Sequence, residues 1–339
     1  MSSTTSEPAA GNWNTPDLAS QLEHAAENNK VDELEAILRS ARTSGALRED
    51  HLTTALDKSI QCGHLDAAKV ILREDDESFA RAISLRRPLL TAIQTDNIEA
   101  ARLLLDAGLL LDEDLPAAPS IRENLYPAAV AAILGRVKIL KLLFESGAPI
   151  TACESTGETV LHVLANDPDL PEPDSLVLDV VLQRFPNIEA TDDQGNTPFT
   201  EACSTGKTQL IKWLLLHGAG IHTPRPDGWT PLHVACHSKQ KAVVQLLLAR
   251  NANVNLKTPN GISPLHLAIE SGSAEVVEVL LERKDLELRD ISGEHLFFLA
   301  ADLGHKEIMR LLALSDHVNA LSFEAQGACE LIEATVTDF

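Results

Sequence analysis

The stretch DGWTPLHVACHSKQKAVVQLLLARNANVN, residues 227–255, decides the fold. It opens on a turn in which Gly228 is free to take a positive φ, and Thr230-Pro231 then starts a short helix with proline in its first turn. A second helix follows, carrying Val244, Leu247 and Leu248 at i, i+3 and i+4, a spacing that puts all three on one face.

The pattern recurs along the chain. TPFT begins at Thr197, TPLH at Thr230 and SPLH at Ser263, each 33 residues after the last. The same frame upstream reaches Thr159 (TVLH) and Tyr126 (YPAA), then, with looser matches, Arg87, Thr54 and Ser20; downstream it lands on His295, one residue short. The apolar triplet gives an independent check. It appears as Leu34/Ile37/Leu38, Ala68/Ile71/Leu72, Ala101/Leu104/Leu105, Leu140/Leu143/Phe144 and Leu178/Val181/Leu182. It continues as Ile211/Leu214/Leu215, Val244/Leu247/Leu248, Val277/Leu280/Leu281 and Met309/Leu312/Ala313, making nine units in one frame.

A turn followed by two helices every 33 residues, with TPLH opening the first, resembles the ankyrin repeat. The resemblance covers roughly residues 18–320 and is most specific from Thr159 to Leu281; the first three units keep only the spacing and the triplet. It implies an all-α repeat solenoid of stacked helix pairs with projecting β-turn fingers, spanning residues 17–320. A disordered tail is expected over residues 1–16, which are rich in Ser, Thr and Pro, and a C-terminal capping helix or tail over 321–339.

Two spacings depart from the frame. Arg87 to Tyr126 spans 39 residues, with the excess in LDEDLPAAPSIREN (111–124); Thr159 to Thr197 spans 38, with the excess in NDPDLPEPDS (166–175). Insertions in repeat proteins map to loops, and three prolines with four acids in ten residues make a poor helix. The second insert is therefore expected to be a surface loop dispensable for folding, with an acidic finger that contacts a partner as the sharper reading.

Composition narrows the function. The chain is 44% apolar, 23% charged and 4% aromatic, with a net charge of −22, so it repels phosphate backbones and anionic lipid; neither nucleic acid nor membrane is expected as a partner. Five cysteines between Cys62 and Cys329 form no CxxC pair, which suits a reducing compartment, and a cytoplasmic or nuclear monomer is expected. The N-terminus lacks a basic and apolar leader, and no apolar run approaches the ~20 residues of a membrane span.

Several strings imitate chemical sites. STGKT (204–208) looks like the tail of a phosphate-binding loop, but the first glycine of that motif falls on Glu201, and Gly206-Lys207 sits where the frame puts a turn between helices. HVACH (233–237) sets His233 and His237 at metal-ligand spacing, which keeps a metal-dependent enzyme as a remote alternative. Against it, no third ligand lies nearby, and the resemblance makes the TPLH histidine structural. No catalytic constellation is found, so no catalysis, cofactor or metal is expected.

The resemblance implies that partners bind through residues flanking the turn glycine and just after the first helix. These are Ser155, Thr156, Glu158 and Asn166 in the fifth unit, and Asp193, Gln194, Asn196, Ser204 and Thr205 in the sixth. The seventh offers Pro226, Asp227, Trp229, His237 and Ser238; the eighth offers Pro259, Asn260, Ile262, Glu270 and Ser271. The ninth offers Ile291, Ser292, Glu294, Asp302 and Leu303. Trp229, one repeat from Ile262, reads as an exposed anchor or as a ring folded over its own turn, whereas Trp213 reads as packing. Arg225 stands where the family commonly has Asp. The function expected is non-catalytic protein binding as scaffold, adaptor or inhibitor, to a partner with a basic segment. The alternative is a regulator of transcription or proteolysis that masks such a segment.

Overall fold

The structure is a computed structural model, and it describes residues 15–72, 84–109, 111, 115, 125–152, 156–289 and 296–315. Two compact units divide the chain, residues 1–153 and 154–339. The first contains four helix pairs: α1 (Thr15–Glu27) with α2 (Val31–Thr43), α3 (Glu49–Gln61) with α4 (Leu65–Leu72), α5 (Arg86–Gln94) with α6 (Ile98–Asp106), and α7 (Pro127–Ile133) with α8 (Val137–Glu145). The second contains five: α9 (Val160–Asn166) with α10 (Ser175–Arg184), α11 (Pro198–Thr205) with α12 (Thr208–Leu216), α13 (Pro231–His237) with α14 (Lys241–Ala249), α15 (Pro264–Glu270) with α16 (Ala274–Leu281), and α17 (Leu296–Asp302) with α18 (Lys306–Leu314). The described residues are thus all-α, in nine pairs, with no strand beyond isolated bridges.

Within each unit the first helix of a pair packs on the first helix of the next. In the first unit α1 meets α3, α3 meets α5, and α5 meets α7; in the second the run is α9, α11, α13, α15, α17. Both units bury the face that carries the triplet. From the second pair onward the first two triplet members are buried, while the third is often only half-buried. Val244 and Leu247, at 0% exposure, each contribute about 1.5–3 kcal/mol of apolar burial.

The upstream frame needs correction. Ser20 and Thr54 do not open helices: they lie inside α1 and α3, which start at Thr15 and Glu49. These helices are 13 residues long, against seven to nine for most of the rest, so a 33-residue frame drawn from the central repeats meets them part-way along. The tail to residue 14, most of the insert 111–124, Ser155, Ile291, Ser292, Glu294 and the cap expected at 321–339 lie outside the described residues.

Candidate partner-binding surface

The fingers of the second unit rest on the cap that opens each first helix. At Thr230 the hydroxyl lies 2.7 Å from Nδ1 of His233, and the Thr230 amide donates to the same nitrogen at 3.2 Å. With Nδ1 accepting, Nε2 carries the proton and donates to the carbonyl of Ile262 in the next finger at 3.1 Å. His162 repeats this, with Nε2 donating to the carbonyl of Asn196 at 2.9 Å. Burial holds both imidazoles below their usual range, which suits the neutral tautomer that the two bonds require. In the sixth repeat Thr200 stands in for histidine, its hydroxyl accepting from the Thr197 amide at 2.9 Å.

Finger tips then stack along the chain. A Cβ on Gly195 (φ 79°) would collide with the ring of Pro226, and one on Gly228 (φ 87°) with Pro259. Three equivalent positions close the turns by different chemistry. The Asp192 carboxylate accepts from the amides of Gln194 and Asn196 at 2.9 and 2.8 Å, and the Thr258 hydroxyl accepts from the Ile262 amide at 3.1 Å. Arg225, between them, has no oxygen to offer. There Asp227 accepts from the Trp229 amide at 3.0 Å and pairs with the Arg225 guanidinium at 3.1 Å. The guanidinium lies 5.7 Å from the Trp229 ring centroid, and His237 meets the indole edge-on at 5.1 Å.

The sequence-derived candidates divide accordingly. Asp193, Gln194, Asp227, Asn260, His237 and Glu270 are exposed, while Trp229 and Ile262 are half-buried. Asn196 is only 5% exposed: its side chain donates to the Asp192 carboxylate at 3.1 Å, so it braces the turn and offers no contact surface. Glu158 is likewise drawn in, accepting from Thr156 at 2.9 Å and from the Asn166 amide. Glu201 lies near them. Burial, reinforced by the Asp192 and Glu158 carboxylates and opposed by Arg225, raises its pKa. Trp213 packs as expected, donating its indole N–H to Asp179 at 3.1 Å and tilting over His217 at 4.0 Å.

The imitated sites resolve into structure. Both ring nitrogens of His233 are engaged within the protein, so it cannot share a metal with His237. Gly206 closes α11 in the left-handed conformation, and Lys207 is buried, donating from Nζ to the Leu170 carbonyl at 3.1 Å. Burial lowers the Lys207 pKa against the pull of Asp167 and Glu172. The insert is helix-free over 167–174 and mostly exposed, as expected of a surface loop, yet these bonds tie it to the next repeat. Its Glu172 carboxylate accepts from the first free amides of α12, Gln209 at 3.0 Å and Leu210 at 3.1 Å, where the helix dipole favours an anion.

Sequence reasoning missed the roles of Glu172 and Lys207, because each meets its partner 37 or 38 residues away with no periodic signal. It noted Arg225 only as a departure from the family; the amide it leaves unserved was the available clue.

Comparison with known proteins agrees with this geometry. The family model described as ankyrin repeats, three copies, matches residues 174–258 and 245–322. The chain is similar to the transient receptor potential cation channel subfamily V member 5 of Rattus norvegicus, 29% identical over 230 residues, which cover 60% of this chain and 30% of that protein. It is also similar to an ankyrin repeat protein of Fowlpox virus (strain NVSL), 27% identical over 136 residues, 40% of this chain and 37% of the relative. The matched region is thus a minor part of either relative's length. The shared frame, the threonine–histidine caps at Thr159 and Thr230 and these matches place the chain among the ankyrin-repeat proteins, whose fold generally serves protein–protein interaction without catalysis.

Proposed function

We propose that the chain acts as a scaffold, adaptor or inhibitor, binding one protein partner along the finger and first-helix side of residues 192–271. The observation that carries this reading is the division of labour in the fingers. Cap and turn residues face inward, and Trp229 is left half-buried beside exposed His237, with Asp193 and Glu270 exposed on the neighbouring repeats. None of the candidate contact positions between Asp193 and Ser271 is Lys or Arg. An aromatic anchor supplies affinity, and the carboxylates select a partner with a basic segment. The free thiols of Cys62, Cys203 and Cys236 support a reducing setting, cytoplasmic or nuclear. A monomer that masks a basic segment in transcription or proteolysis is the second reading, favoured by the same charge.

The test begins with affinity capture from native lysate to obtain a partner, followed by its affinity for wild type, Trp229→Ala and Glu270→Lys at two salt concentrations. Trp229→Ala is expected to weaken binding about thirtyfold, or about 2 kcal/mol, and added salt to weaken it further. Unchanged binding in both variants would move the site off this face.

A further inference from the structure

We propose that Arg225 is the positioning and specificity residue of this surface: it clamps the Trp229 indole and so reserves the centre of the site for an apolar or aromatic partner side chain. The partner's cations are left to Asp193 and Glu270 on either side. This deepens the reading given under Proposed function and rests on it.

Three fingers share one backbone bond pattern but differ in the residue that closes the turn. At positions 192, 225 and 258 the residues are Asp, Arg and Thr, each 33 apart. Asp192 and Thr258 use their oxygens to close their own turns. In the middle finger that task has passed to Asp227, and the backbone bond is kept, with the Arg225 amide donating to the Trp229 carbonyl at 2.9 Å, as the Asp192 amide does to Asn196. The turn therefore does not need arginine. What arginine adds is the guanidinium beside the indole, held by Asp227, while its buried Nε donates to no acceptor among the described residues. Asp227 and His237 complete the clamp, so the ring is ordered before any partner arrives, which lowers the entropy lost on binding.

The same geometry sets specificity. A partner lysine or arginine approaching Trp229 meets a cation already paired with the local carboxylate and would suffer like-charge repulsion. An apolar or aromatic side chain meets no such penalty. Replacing Arg225 with Asp reverses this, since a carboxylate there can close the turn as Asp192 does while leaving the indole open to a cation.

Two measurements on the full chain test the proposal. With 5-fluorotryptophan labelling, the Trp229 resonance, assigned through Trp229→Phe, is expected to move toward the free amino-acid position and sharpen in Arg225→Asp and Arg225→Ala, while melting stays within about 2 °C for Arg225→Asp. An unmoved resonance in both variants overturns the clamp. Next, a random 16-residue peptide display library is selected on wild type and on Arg225→Asp. Wild type is expected to enrich an apolar or aromatic residue flanked by Lys or Arg, and Arg225→Asp to enrich a central Lys or Arg and to bind the wild-type peptides about threefold to tenfold more weakly. The same central residue and affinity in both selections overturns the specificity claim. Wild-type peptides that bind Trp229→Ala equally well overturn the underlying site, whatever the resonance shows.

Discussion

Helices α1 to α3 are 13 residues each, whereas the six helices between Pro198 and Leu281 run seven to nine. The two regions also end their helices differently. Among the first helices of the pairs, α3 has no side-chain cap, while Thr197, Thr230 and Ser263 each open a short helix with a side-chain oxygen; the second helices α2, α12, α14 and α16 alike lack one. A two-turn helix is unstable by itself, so the short first helices draw on their caps, one of which reaches the next repeat as His233 bonds Ile262. The long helices hold more of their own hydrogen bonds and pack through apolar residues such as Leu22, Leu52 and Leu56. Length in one region thus does what capping chemistry does in the other, and substitutions should sort by that difference.

The largest effect is expected at the cap. His233→Ala removes bonds to Thr230 and Ile262, leaves their buried groups unmet and opens a cavity, at a cost of about 2–4 kcal/mol in urea unfolding. Thr230→Ala should lose about 1–2 kcal/mol for its share of the same cap. A loss under about 0.5 kcal/mol in both would break the comparison, since the short helices would then stand without their caps.

Next comes the insert. Deleting residues 167–171 removes the Leu170 carbonyl that serves the buried Lys207 ammonium and displaces Glu172 from α12. A loss of roughly 2 kcal/mol is expected, with Glu172→Ala alone giving about 1 kcal/mol. Urea midpoints of both variants check this. An unchanged midpoint in the deletion would restore the dispensable loop that composition alone suggests.

How far the sequence could be read follows from the same two regions. TPLH and the triplet are local and periodic, so the central pairs and their boundaries were legible. At Ser20 and Thr54 the frame pointed into helix interiors, because it counts residues between repeats and is blind to helix length. Of the candidate site residues, Asp193, Asn260 and Glu270 are exposed, as their place beside a turn or helix end suggests. Asn196 was not distinguishable from them, since its inward turn depends on the Asp192 carboxylate it meets. Glu172 with α12 was beyond reach for the same reason: the contact joins elements whose spacing is set by the fold.

Acid should act through the capped region. His162 and His233 are held below the ordinary value of 6.5 by burial, so the unfolded chain takes up protons that the folded chain refuses. Their contribution to stability is full above pH 6.5 and falls as pH drops from there through the folded values. Glu201, with a raised pKa, acts in the opposite sense nearer the carboxylate range. Urea midpoints at pH 7.5 and 5.5 should therefore decline for wild type and decline less for His162→Phe, which carries no titrating group at that cap. Equal declines in the two proteins would remove His162 as a cause.

The smallest effect is expected from the same substitution at the frame mark in the long helices. Thr54 corresponds in the repeat count to Thr230, yet it lies inside α3, half-buried, its hydroxyl donating back to the Asp50 carbonyl at 2.7 Å. That bond duplicates an acceptor already within the helix and satisfies no free amide. Alanine loses it but gains helix propensity, because a β-branched side chain gives up rotamer freedom there. Thr54→Ala should thus change stability by less than about 0.5 kcal/mol in either direction. Measured beside Thr230→Ala under the same urea conditions, it isolates the role of the residue from its place in the count. A loss matching Thr230→Ala would mean that Thr54 caps a helix after all, and that the two regions are built alike.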